Sequence, residues 1–375
     1  MKRLYRFLFT TTAMVLILVN FVVISSAQTT DSVLDYFGAF ELFEALPDET
    51  IDIFEQIGIE AIDFDSVFNV NAGDVWSAVK RLISGSVQSP LETFVRLIAV
   101  IVLVAVFDCF ISYDGKIRII TQIAGVMLCL ISIANPLMSV INSAAVSVNV
   151  SADFMLVLIP VITSVLSVSG NPILATSFRT VALGIAQIIS AVTSKFLMPV
   201  IGVVLGLDMT CGFLYEFKLN GITSLIKKFI TAVISFTSTL FVSFLGLKGG
   251  LANAADNFTG KSIKLVVSSA VPVVGGALSE AYSGVLGSIL LVKSTISVLG
   301  IAAITLINLP SCIQLLFWIF TLRFSAAIAD LFRQEKISEM LRSLSSSLVL
   351  LNVIIVFIAV LFIISVALIL MLRTR

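Results

Sequence analysis

Six ionisable side chains fall inside or at the edge of long apolar runs: Asp108, Arg179, Lys195, Asp208, Glu280 and Lys293. A charge at bilayer depth costs about 2.5–3.5 kcal/mol on insertion scales. Such a residue faces a protein interior or a wet cavity, or it snorkels from a span end. Snorkelling is the reading for Asp108, Lys195 and Asp208. Lys293 resists it, because uncharged runs of 12 and 29 residues flank it. Glu280 stands 13 positions earlier, too far along one helix to pair with Lys293, although two antiparallel segments would bring them together. Around Glu280 lie Pro272, Gly275, Gly276, Gly284 and Gly287. Proline and glycine at membrane depth are tolerated where protein or water re-satisfies the freed backbone groups, and broken helices of this kind line ion and substrate paths. The chemistry on offer at these residues is a pore or a subunit joint. The plainer readings are a loop between two short spans and close helix packing through glycine.

Other chemistry is excluded. The chain has no histidine, which removes Ser/His/Asp and Cys/His catalysis and histidine-held zinc or haem. Cys109, Cys129, Cys211 and Cys312 lie in or beside apolar runs without C-x-x-C spacing, and read as small buried hydrophobes. Thr259-Gly260-Lys261-Ser262 resembles the end of a phosphate-binding loop, but Ala255 stands where the first glycine is required. Gly202-x-x-x-Gly206 and Gly246-x-x-x-Gly250 allow close helix approach and are weak signals. No enzyme activity, metal, cofactor or nucleic-acid partner is expected.

The elements that must position these residues are membrane helices. Of 375 residues, 58% are hydrophobic and 12% charged, against about 25% charged in soluble domains, and the mean hydropathy is +1.12. Lipid is the solvent that this composition demands. The net charge of +0 conceals an asymmetry: twelve of the 23 acids lie between Asp31 and Asp74, where no Lys or Arg occurs.

Residues 1–27 read as a secretory signal, with Lys2, Arg3 and Arg6 before an apolar core at 7–24, and Ser25-Ser26-Ala27 offering cleavage between Ala27 and Gln28. An uncleaved anchor gives the same orientation. Residues 28–90 form a small acidic, helical, extracytoplasmic region. Helices are predicted to start at Pro47-Asp48-Glu49 and near Asn71, the second with Val75, Trp76, Val79, Leu82 and Ile83 on one face.

Residues 91–375 read as an all-α multi-pass transmembrane domain, with apolar sequence for roughly seven to nine membrane segments of about 20 residues each. Spans are predicted at 91–111, 173–192, 196–213, 229–247, 265–291, 294–322 and 348–372, with a loop at 112–118, a break at Asn135-Pro136 and a turn at Gly170-Asn171-Pro172. Residues 323–346 read as an amphipathic helix in the interface plane. Lys116, Arg118, Lys218, Lys227 and Lys228 mark inside loops, and Arg373-Thr374-Arg375 an inside C-terminus. Lys248, Lys261 and Lys264 also look internal, which conflicts with a single full crossing at 229–247 unless a segment is re-entrant.

The order of these parts resembles the stage III sporulation protein AE family of endospore-forming bacteria. The likeness covers nearly the whole chain. It is carried by Gly260-Lys261-Ser262-Ile263-Lys264, Val271-Pro272-Val273-Val274-Gly275, Ile289-Leu290-Leu291-Val292-Lys293 and Val298-Leu299-Gly300 in sequence. Leu156-Val157-Leu158-Ile159-Pro160 before Val168-Ser169-Gly170 adds to it, as does Leu46-Pro47 ahead of Trp76.

The resemblance implies a membrane-embedded component of the secretion-like channel complex between mother cell and forespore, needed for forespore development and sigma-factor activity. It implies residence in the mother-cell membrane, facing the forespore. The partners implied are other stage III sporulation proteins (an ATPase and ring-forming single-span proteins), stage II sporulation protein Q, and membrane lipid. The family brings no catalytic residues. Two rival readings remain open: a stand-alone secondary transporter, and a scaffold that recruits ring-forming partners through its polar region.

Overall fold

The computed structural model describes residues 39–59, 67, 70–110, 115–169, 172–210, 221–241, 243 and 275–371. The expected signal peptide with its Ala27/Gln28 cleavage point, and Pro272, lie outside the described residues.

Two short helices come first, α1 (Ala39–Glu44) and α2 (Asp48–Gln56). Pro47 precedes α2, and Asp48 and Glu49 occupy its first turn, where carboxylates meet the positive end of the helix dipole. Gly58 takes φ +85° and closes the helix, its N–H donating to Glu55 O at 3.0 Å and that of Ile59 to Phe54 O at 2.9 Å. Leu42, Ile53 and Phe54 are buried, with the Phe43 and Phe54 rings 6.0 Å apart.

The long helices follow. In α3 (Ala72–Phe110) the Asn71 Oδ1 caps the first turn, accepting from Gly73 N–H at 3.1 Å. The helix runs through Pro90 without stopping, so the polar segment and the first apolar span are continuous.

Helix α4 spans Gly115–Val168. It begins inside the loop predicted at 112–118 and does not break at Asn135-Pro136. Proline removes one backbone donor, but buried Ile133, Leu137 and Val140 on both sides of it hold the helix against its neighbours. The turn at Gly170-Asn171-Pro172 falls between α4 and α5 (Pro172–Val192).

A π-helical turn, Thr193–Leu197, joins α5 to α6 (Met198–Thr210). Met198 N–H donates to Thr193 O, five residues back. Pro199 has no N–H to offer the Lys195 carbonyl, which accounts for the widened turn. The spans predicted separately at 173–192 and 196–213 therefore form one rod. Helix α7 is Gly221–Phe241, and the chain ends in α8 (Gly275–Leu331) and α9 (Glu335–Met371).

Residues 323–346 are not a single interfacial helix. They comprise the end of α8, a tight turn and the start of α9. At the turn Arg333 takes φ 58°, Arg333 N–H donates to Asp330 O at 3.0 Å, and Gln334 N–H donates to Ala329 O at 2.8 Å. This is a helix-ending motif with arginine where glycine is usual. The three- and four-residue apolar spacing arises because α8 and α9 each bury a face, Leu322 and Ala326 on one, Met340, Leu341 and Leu344 on the other.

Six helices among the described residues are long and apolar enough to cross a bilayer: Gly73–Phe110, Ile119–Val168, Ala175–Thr210, Gly221–Phe241, Ile289–Leu331 and Glu335–Ala367. The chain is an all-α polytopic membrane protein. Trp318, Leu315, Leu344 and Leu348 sit in the core of the α8–α9 hairpin, with Leu97 and Ile101 of α3 and Leu158 of α4 buried around it. Large apolar side chains remain exposed on α3, α4 and α7, among them Phe107, Ile131 and Phe236, as a lipid-facing surface requires.

The contacts fix relative directions. Asp108 at the end of α3 accepts from Gln334 Nε2 at 2.8 Å, and a side chain at Gly125 would meet Val104 and Ile337. The α3–α4 connection and the α8–α9 turn therefore share one end of the bundle. Further along, Ser147 of α4 meets Ser311 of α8, and Leu158 meets Gly300, so α4 and α8 are antiparallel.

Candidate functional site

A polar seam runs through the apolar interior of α8. Lys293, Ser297, Asn308, Ser311, Trp318 and Ser325 recur at spacings that keep them on one face. Lys293 is 3% exposed, and Ser297, Asn308 and Ser325 are equally hidden. Ser143, Ser147 and Ser151, one turn apart on α4, answer part of this seam. The hydroxyls of Ser147 and Ser311 share a hydrogen bond of 2.6 Å, Ser311 Oγ reaches Ser143 O at 3.4 Å, and Asn308 Nδ2 donates to Ser151 Oγ at 2.7 Å. Small hydroxyl residues let the two helices close together, as the Leu158–Gly300 contact also requires. The seam is incompletely satisfied by the described residues: among them Ser297 Oγ, Asn308 Oδ1, Trp318 Nε1 and Ser325 Oγ are buried without a partner. Buried polar atoms of this kind are the usual stations of internal water.

The structure brings the predicted residues together only in part. Lys293 is interior, as its uncharged flanks require. Glu280 lies 13 positions earlier on the same unbroken helix, about 20 Å of rise away, so the two do not pair by antiparallel segments. Gly275, Gly276, Gly284 and Gly287 are helical, and no break occurs there. Gly287 has open space where a side chain would stand, so it marks no close helix contact.

A second polar centre was not anticipated by the snorkelling reading. Asp208 of α6 is fully buried and ion-paired with Lys227 of α7 at 2.9 Å. Ser343 Oγ donates to its Oδ1 at 2.6 Å, and Ser347 Oγ donates to its Oδ2. Lys227 Nζ also donates to Ser346 Oγ at 2.5 Å and Ser343 O at 3.3 Å. The serines, Ser343 to Ser347 on α9, supply the polar groups that let a carboxylate stay charged inside an apolar bundle. A cavity of about 300 Å3 opens beside this cluster, lined by Thr223, Lys227, Glu339 and Arg342 among others. The sequence signal was the serine run itself, Ser343 and Ser345 to Ser347 within five positions of α9.

Lys195 lies on the surface of its rod. It is exposed in the π-helical turn, 15 residues from the end of its apolar rod. Arg179 is exposed as well, whereas Asp108 is half-buried at the Gln334 contact. Among the cysteines, Cys129 is buried and Cys312 half-buried, but Cys109 is exposed, contrary to the buried reading.

The description "Stage III sporulation protein AE" matches residues 63–372, which include both polar centres. The stage III sporulation protein AE of Bacillus subtilis (strain 168) is 25% identical over 202 residues. That match covers 54% of this chain and 51% of the relative, so it spans about half the length of each. No solved structure matches. The family match embraces most of the chain, including all six membrane-length helices, and the chain belongs to the stage III sporulation protein AE family.

Proposed function

We propose that this protein is the membrane-embedded component of a channel complex linking mother cell and forespore during endospore formation, and that it is required for forespore development. The observation that carries this reading is the family match over residues 63–372. Its partners would be other stage III sporulation proteins, including an ATPase and ring-forming single-span proteins, together with stage II sporulation protein Q. It would reside in the mother-cell membrane with residues 28–90 facing the forespore.

The bundle's directions support a specific orientation. If residues 28–90 are extracytoplasmic behind a signal peptide, α3 descends and the end shared by the α3–α4 connection and the α8–α9 turn is cytoplasmic. Arg323, Arg333, Lys336 and Arg342 lie at that end, in keeping with the positive-inside rule. Lys227 sits beside Asp208 while Phe229 stacks edge-on with Phe196, twelve residues earlier on the α5–α6 rod, so α7 runs back outward. Helix α7 then ends on the outer side, where α8 begins, and α9 leads outward again.

The seam at Lys293 is the proposed hydrated path or subunit joint, with Glu280, Gly275, Gly276, Gly284 and Gly287 earlier on the same helix. Deleting the gene in its own spore-forming host should leave engulfment intact and abolish late forespore reporter expression. Lys293→Leu should reproduce that loss at unchanged protein level. Full spore yield from the deletion strain would refute the role; full yield from Lys293→Leu alone would refute only the path.

A further inference from the structure

The outer face of α4 carries a polar ladder that neither the family match nor the seam explains. Asn135, Asn142 and Asn149 stand seven residues apart, and all three are exposed on a helix of membrane length. Met138 and Ala145 fill the alternate positions of the same heptad. Asn135 and Asn142 make no side-chain hydrogen bond with any described residue, and Asn149 only accepts one from Ser194. Asp153, one turn beyond Asn149, is also exposed, as is Lys195 on the neighbouring π-helical turn, and neither forms an ion pair with a described residue. A cavity of about 310 Å3 lies between α4 and the α5–π-turn rod, lined by Asn149, Ala152, Gln187, Ser190, Ser194 and Lys195 among others.

Acyl chains are a poor solvent for such a face, because amides and charges in the hydrocarbon must find protein or water partners. We propose that the α4 face from Asn135 to Asp153, with Lys195 beside it, is the docking surface for a second copy of this chain. Two features select a second copy over another partner. An asparagine amide is both donor and acceptor, so a heptad ladder of asparagines is complementary to its own image. The face also carries one acid and one base, so a two-fold contact lets Asp153 of each copy meet Lys195 of the other without residual charge. Both copies share the bilayer's orientation, so the two-fold axis lies along the membrane normal and the α4 helices run parallel. Each asparagine then meets its counterpart, and the cavity beside Asn149 receives the partner's side chains.

The test uses the full chain in membranes and in detergent. Asn142→Cys is expected to cross-link to a dimer with a short bis-maleimide, whereas Val203→Cys, exposed on α6, is expected to cross-link no more than the unmodified chain. By light scattering the purified protein should be a dimer, and Asn135→Leu/Asn142→Leu/Asn149→Leu should raise its dissociation constant by about tenfold or more. Asp153→Lys and Lys195→Asp should each weaken the dimer and together restore it, an outcome that a misfolded variant cannot mimic. A monomer in detergent, equal cross-linking at both cysteines, or failure of the double reversal to rescue would overturn the proposal. So would labelling of Asn142→Cys by a membrane-impermeant maleimide without cross-linking, which would mark a water-lined face instead.

Discussion

Asp208 sits deep in the bundle as a charge only because four groups converge on it: the Lys227 ammonium, the Ser343 and Ser347 hydroxyls, and, through Lys227, Ser346. Removing one partner of such a pair leaves the other buried and uncompensated, a loss of about 3–5 kcal/mol, whereas removing both costs far less. Asp208→Asn and Lys227→Met are each expected to lower the melting temperature in detergent, and the double variant to recover part of it. Additive losses in the double variant would show that the pair does not act as a unit. At this scale the sequence was legible where a residue's neighbours in the chain decided its fate. Lys293 lies between long uncharged runs, and it is interior. Asp208 was misread because its partners come from α7 and α9, and no local pattern announces a pairing across helices. Lys195 is exposed on the π-helical turn, midway along its rod.

Helix termini were readable where a cap or a proline stands in the sequence. Pro47, Asn71 and Pro172 each sit at the start of a helix, and each is visible as a residue type with a conformational reason. Interruptions were not readable, because the same proline that ends a helix in water is carried inside a membrane bundle when buried neighbours clamp both sides, as at Pro136, Pro160 and Pro310. The α8–α9 turn escaped notice since Arg333 takes the left-handed conformation that a glycine would have advertised. Between α4 and α8 the packing is close at Gly300, where an added Cβ would lie 2.8 Å from Leu158 Cδ2. Gly300→Val should push α4 from α8 and destabilise the fold by about 1–3 kcal/mol. Leu158→Ala in the same chain should return part of that loss. Measured by thermal aggregation in detergent, an unaltered Gly300→Val protein would refute a close α4–α8 contact at this position.

For the whole molecule, composition alone established the membrane class. The direction of later helices could not be read from basic residues, since Lys248, Lys261 and Lys264 follow one apolar run as Lys227 and Lys228 precede it. Contacts between distant segments supply what was missing. A cysteine at Arg333 should react only from the cytoplasmic side of intact cells, and one appended after Arg375 only from outside. Labelling of both from one side would reverse the direction assigned to α9. The register of the bundle has a last consequence. From Gly125 beside Ile337 to Leu158 against Gly300, α4 follows the α8–α9 pair through about 50 Å of helix rise, whereas the hydrocarbon slab is about 30 Å thick. Tilting absorbs only part of that mismatch. One end of the rods therefore rises clear of the lipid as an oily collar, and a thin micelle will leave that collar bare: the choice of detergent chain length, more than of head group, will govern whether the extracted protein stays dispersed or clumps.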